Sequence, residues 1–155
     1  MRSSSRTLAH CLPLAALAFA CGGVDFTGRY TGNLTLTGSC SDGSQVTPST
    51  RLVTWTISDA DVVTIAPEGG TCGSLTADAA GSVARLRAKA CPPYTASGIT
   101  VKEELASGTL EAKTIGTLTS NDRELSVEMR GSAALSDSTG SATCTTRTIG
   151  SMLRQ

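Results

Sequence analysis

Histidine is nearly absent from this sequence of 155 residues; the single copy is His10. Aromatic residues are also sparse, at 3% of the chain: one Trp, two Tyr and two Phe. Neither sign of charge is in excess, with 13 Lys and Arg against 13 Asp and Glu. These shortages narrow the function. Balanced charge argues against nucleic acid as the main partner, because phosphate binding leaves a basic footprint. Few aromatics leave few platforms for stacking or for a large aromatic-lined pocket. No glycine-rich loop leading into a helix is present to cradle a phosphate. The length suits one domain with a single core.

What the chain does have begins with an address. Arg2 and Arg6 precede a mostly apolar run from Leu8 to Ala20, too short to span a bilayer as a helix, so residues 1–20 read as an export signal. The run ends Leu17-Ala18-Phe19-Ala20-Cys21-Gly22-Gly23. Ala18-Phe19-Ala20 fits ordinary signal cleavage, which would give a secreted or periplasmic protein. Small residues directly before Cys21 also resemble the lipobox of bacterial lipoproteins, with Ala18 in place of the usual Leu. That resemblance implies an acylated Cys21 as the first mature residue. It also implies attachment to the bacterial cell envelope. Gly22, being other than Asp, points to the outer membrane by the enterobacterial sorting rule. Cysteine parity favours this route. Cys11 leaves with the signal, and five cysteines remain; lipidating Cys21 leaves four, enough for two disulfides in an oxidising compartment. Residues 21–25 then form a tether, of which Gly22 to Asp25 spans about 14 Å when extended. Residues 26–155 form the single folded domain.

From Phe26 onward the hydrophobic period is two, the mark of half-buried strands. Tyr30, Leu34 and Leu36 share one face of the first, and Arg29, Thr31, Asn33, Thr35 and Thr37 the other. The alternation returns at Val53, Trp55 and Ile57, at Val63 and Ile65, and at Leu75 and Ala77. It continues at Ala84, Leu86 and Ala88, at Leu110, Ala112 and Leu118, and at Leu125, Val127 and Met129. Turn residues separate these runs, as in Asp42-Gly43, Gly81-Ser82 and Ser120-Asn121-Asp122. The pattern predicts an all-β, antiparallel up-and-down meander of eight or nine strands, closed into a small barrel that leaves no open edge. Ile99 to Ala106 is ambiguous: Val101 alternates as in a strand, whereas Lys102-Glu103-Glu104-Leu105-Ala106 suits a helical turn.

The cysteines sharpen the topology. Cys72 and Cys91 flank the Gly81-Ser82 turn, and a register opposing Ala77 to Leu86 and Leu75 to Ala88 sets them face to face on the outer surface beside Arg85, Arg87 and Lys89. Cys40 ends the first strand and Cys144 lies near the start of the last. Those ends meet if the strand count is even, so a Cys40–Cys144 bridge predicts eight barrel strands and a stapled seam.

Gly28-Arg29-Tyr30 resembles the Gly-x-Trp opening of lipocalins and their calycin relatives, with Tyr30 in place of Trp. The resemblance implies an eight-stranded barrel, often with a ligand cavity. It also implies an arginine near the chain end packed over the aromatic residue, for which Arg147 and Arg154 are the candidates.

Catalytic options are few. Losing His10 with the signal removes Ser-His-Asp and Cys-His catalysis and every His-containing metal site. Bridging four cysteines removes thiolate chemistry. Glu103-Glu104 is the remaining carboxylate pair, but neighbours on a strand point to opposite faces, so a solvated pair is the preferred reading. Asp59 and Asp61 could bind Ca²⁺ and read more simply as turn residues. Arg85, Arg87 and Lys89 could meet anionic headgroups, or pair with acids such as Glu111 or Glu128. Tyr30, Trp55 and Leu86 read as core, or as the lining of a ligand site. The expectation is a non-enzymatic envelope lipoprotein without cofactor or metal, acting as a β-barrel binding or interaction module. It is held to the membrane through Cys21, with an envelope protein or a small apolar ligand as partner. A lipocalin-like carrier is the alternative, and a carboxylate-only hydrolase the remote one.

Overall fold

The computed structural model describes residues 24–58, 62–115 and 123–155. Cys21, Asp59, Asp61, Leu118 and the turn at 120–122 lie outside the described residues. The described residues form ten strands: β1 (Gly28–Cys40), β2 (Gln45–Ser58), β3 (Val63–Pro67), β4 (Leu75–Ala80), β5 (Val83–Leu86), β6 (Lys89–Ala90), β7 (Tyr94–Ala96), β8 (Ile99–Thr114), β9 (Arg123–Ser136) and β10 (Ser141–Arg154). Among the described residues there is no helix.

Every pairing is antiparallel, and the ladder runs β5-β4-β3-β2-β1-β10-β9-β8 before β8 returns to β5. Eight strands therefore close a hydrogen-bonded ring, as the alternation and the cysteine argument predict. The two short strands β6 and β7 continue the line of β5 along β8. The β7–β8 turn places Ser97 at φ 53° and Gly98 at φ 80°, the doubly left-handed geometry of a two-residue hairpin turn.

The period-two faces decide the interior. Tyr30, Leu34, Trp55, Ile57, Val63, Ile65, Leu75, Ala77, Ala84, Leu86, Leu110, Ala112, Leu125 and Val127 form one buried cluster, joined by Phe26 and Met152. Tyr30 stands opposite Trp55 on one side and Arg154 on the other. Small residues let the strands bend closely. A Cβ on Gly32 would overlap the Ser151 carbonyl oxygen and come within 2.5 Å of Met152 Cα. Glycine at such a position permits the close backbone approach of a tight corner.

The ring has two unlike ends. At one end residues 24–27 strap across the opening: Val24 N–H donates to the Gly81 carbonyl at 3.2 Å, and Phe26 is buried. Asp25 is held by Arg123, which donates to its carbonyl, and lies 3.8 Å from Arg154. Val24 and Asp25 thus belong to the folded unit and not to the expected tether of residues 21–25. At the other end β3, β4 and β5, with 5, 6 and 4 residues, stop short, whereas β1, β2, β8, β9 and β10 run on for 13 to 16. The extension leaves this end wide.

Both expected disulfides are present. Cys40 and Cys144 are direct partners in the β1–β10 ladder, so their bridge staples the seam. Cys72 and Cys91 are joined too, but by a different route from the one predicted. Ala77 opposes Leu86 as expected, and there the β4–β5 ladder ends. One further bond, from Arg87 N–H to the Thr76 carbonyl at 2.9 Å, precedes the point where the chain leaves β4; Ala88 is exposed, and the bridge ties the β3–β4 turn to the segment beyond β6. Cys72 packs against the core cluster at the wide end and is not on the outer wall.

The helical turn considered for Lys102–Ala106 is absent. β8 is one strand whose pairing with β9 shifts between Leu105 and Ser107. The extra residue moves the apolar positions from odd to even numbers, from Val101 and Leu105 to Leu110 and Ala112, as a bulge does.

Candidate functional site

The wide end gathers the best candidate site. Inward positions of the long strands there are Leu34 and Leu36 on β1, Ser49, Arg51 and Val53 on β2, Thr148 on β10, Met129 on β9 and Glu103 on β8. Together with Trp55, Leu75, Pro67 and Tyr94 they line a cavity of about 360 Å³. Its floor is apolar, with Trp55 at the bottom. Its rim carries one cationic and one anionic side chain, Arg51 and Glu103. A second recess of about 200 Å³ adjoins it through shared Leu36, Leu75, Glu103, Met129 and Thr148, and runs under the Cys72–Cys91 bridge.

The rim is ordered by hydrogen bonds. Tyr94 O–H donates to Glu103 Oε1 at 3.0 Å, and Thr71 O–H to Oε2 at 3.4 Å. Burial first, and then the Glu103 carboxylate, push the Tyr94 hydroxyl above its ordinary range. Each Glu103 oxygen keeps a further lone pair for another donor. Glu103 is half-buried and Glu104 exposed, so the two diverge as neighbouring strand residues should. They form no acid–base pair. No charged side chain is buried among the described residues.

The other sequence candidates are scattered. Trp55 lines the cavity, but Tyr30 and Leu86 do not. Tyr30 is wholly buried in the ring, and its hydroxyl has no hydrogen-bond partner among the described residues. Burial raises its pKa, with Arg154 the largest opposing influence. Arg154 stands opposite Tyr30 in the ladder and its side chain is only 19% exposed. Directly opposed residues share a face, so Arg154 covers the strapped end on the Tyr30 side. Arg147 is instead engaged far from Tyr30, 3.2 Å from Glu128, which also binds Arg130. Leu86 borders a separate groove of about 410 Å³ on the wall.

Two of the basic trio are engaged locally: Arg87 forms a two-pronged pair with Asp78, which stands opposite Arg85, and Lys89 donates to the Ser74 carbonyl. Glu111 pairs with Lys113, and Glu128 with Arg130 and Arg147, so neither acid serves the trio as anticipated. Arg51 and Tyr94 are the site residues that sequence reading missed. Arg51 shares the parity of Val53 and Trp55, and that parity was the available signal.

No family model, curated protein or solved structure matches the chain. The two disulfides are compatible with an extracytoplasmic location.

Proposed function

We propose that the protein is a non-enzymatic binding module of the bacterial envelope, anchored through an acylated Cys21 and binding its partner at the wide end of the ring. The observation that carries this reading is the cavity floored by Trp55, with its apolar walls and the ordered Arg51 and Glu103 rim. Such a combination of an apolar floor and a few placed polar groups is the usual form of a binding site. The strap supports the orientation. Val24 enters beside the Gly81 turn, at the end of the ring opposite the cavity. An anchor three residues earlier sets that end on the membrane and turns the wide end away from it. Gly22 after the modified cysteine favours the outer membrane.

A lipocalin-like carrier is the second reading. It is favoured by the eight-strand ring and by Arg154 facing Tyr30 two residues after Gly28. The filled interior at Tyr30 and Leu86 confines any cargo of such a carrier to the wide end.

Two measurements test the proposal. Intact mass of the natural mature protein should show a triacylated Cys21 as its first residue; an unmodified Cys21 overturns the anchor. Native mass spectrometry from the natural membrane, compared with a Trp55→Ala protein, should show a bound species that the variant loses. A bound species retained by the variant places binding elsewhere.

A further inference from the structure

We propose that the exposed edge of β2 at the wide end accepts an extended peptide segment of a protein partner as an additional antiparallel strand. This rests on the binding reading above and names the class of partner.

Only Trp55 to Ser58 of β2 pair with β3, although β2 begins at Gln45. Just beyond that pairing, Glu68 N–H donates to the Thr54 carbonyl at 2.9 Å. Residues of an antiparallel strand alternate in the side to which they turn N–H and C=O. Leu52 and Thr50 therefore turn their backbone groups to the same side as Thr54, where no strand of the described residues lies beside them. Two donors and two acceptors stand in register, and Pro48, lacking an N–H, ends the series. Thr50, Arg51 and Leu52 are all exposed, and Leu52 at 71% is the most exposed large apolar residue among those described.

The side chains flanking this edge specify the partner. Arg51 and Val53 face the cavity, and Arg51 makes no ion pair among the described residues. An added strand places alternate side chains over the same cavity. The residue opposite Arg51 should be acidic, and the one opposite Val53 apolar and long enough to approach Trp55. Main-chain bonds supply affinity and the cavity supplies selectivity, as in other cases of strand addition. A second copy of this chain fits poorly. The register that joins Thr50 to Leu52 of a symmetry mate sets Arg51 against Arg51, and like charges directly opposed are destabilising. A small apolar ligand fills the cavity but leaves the backbone groups and Arg51 unused.

The test uses the mature folded domain with both disulfides intact and the blocked peptide acetyl-Thr-Leu-Thr-Glu-Thr-Val-Thr-amide. Its Glu falls opposite Arg51 and its Leu opposite Val53. Peptide binding should quench or shift Trp55 fluorescence and slow amide hydrogen exchange at Thr50 and Leu52. N-methylating the third and fifth residues removes the two peptide donors and should weaken binding at least about tenfold. R51E should weaken the parent peptide and favour one with Lys in place of Glu. Equal binding of the N-methylated peptide, or unchanged exchange at Thr50 and Leu52, overturns strand addition. If Trp55 fluorescence then still responds to a small apolar probe such as decanoate, the wide-end reading survives alone. If it responds to neither, both fall. Protection of Thr50 and Leu52 that rises with protein concentration in the absence of peptide assigns the edge to a second copy and overturns the proposal.

Discussion

Removing either disulfide separates two sources of stability, because the bridges close loops of very different length. Cys40 and Cys144 are 104 residues apart, and Cys72 and Cys91 only 19. In the chain-entropy model the first restricts the unfolded chain by about 4.7 kcal/mol and the second by about 3.2 kcal/mol. Native packing differs as well. Cys72 is partly buried against the core cluster, whereas Cys144 is fully buried outside that cluster, in the wide-end extension. If unfolded-state entropy dominates, a Cys40→Ala, Cys144→Ala protein should be less stable than a Cys72→Ala, Cys91→Ala protein. The gap should be about 1.5 kcal/mol, roughly a tenfold ratio in folding constant. Urea denaturation followed by Trp55 fluorescence measures both, since Trp55 is the sole tryptophan and is buried. The seam variant should also show the larger m-value, because its unfolded chain is freer to expand. The reverse order of stabilities would refute the entropic account and assign the greater role to packing around Cys72.

Further outcomes concern four single positions. Gly32→Ala should destabilise by about 1–3 kcal/mol through backbone overlap at Ser151 and Met152, while Gly140→Ala, which meets nothing within 4 Å, should leave the thermal midpoint nearly unchanged. Tyr30→Phe should be neutral or stabilising by about 1 kcal/mol, since it removes a buried hydroxyl without a partner. The folded-state pKa of Tyr30 lies above its ordinary value of 10.0, so its neutral form favours the fold and the wild type should lose stability as pH rises past that value. Chemical denaturation across this range should show a shallower loss for Tyr30→Phe. Asp25 has the opposite sign. Hydrogen bonds from the Thr27 hydroxyl and backbone N–H hold its pKa below 3.8, so its contribution is present above that value and fades as pH falls below it. An Asp25→Asn protein should show a flatter acid limb in the same measurement.

The ring was legible because apolar contrast is strong where the ring is filled. Tyr30, Trp55, Ile57, Ala77, Leu110 and Leu125 each sit between polar neighbours, and each is buried. The wide end was not legible for the same physical reason. From Thr35 to Thr50 and from Arg130 to Thr148, threonine, serine and glycine occupy both faces, so alternation carries little information there. Two bulges add to this. The shift between Leu105 and Ser107 reverses inward parity in β8, and the one between Leu36 and Gly38 separates the tip of the β1–β2 hairpin from its base. The Cys72–Cys91 pairing followed from sequence although the assumed ladder did not extend to it. The alternation through Arg85, Arg87 and Lys89 concealed the point at which the chain leaves β4. Arg51 was overlooked because a charged residue on an inward parity reads as an interruption, and it becomes intelligible only beside a cavity.

The strap across the narrow end also governs where attachments can be made. Residue 24 and residue 155 stand together there: Gln155 N–H donates to the Arg29 carbonyl, and Arg154 reaches Asp25. A domain fused after Gln155 emerges from the side on which a lipid at Cys21 would enter. It leaves the turns at Asp42-Gly43 and Ser97-Gly98 unencumbered. With the two points so close, a short linker between them would make the backbone a circle, reopenable at either exposed turn. A circular permutant cut at Gly43 would keep every ring pairing while moving its new ends to the tip of the β1–β2 hairpin, at the wide end.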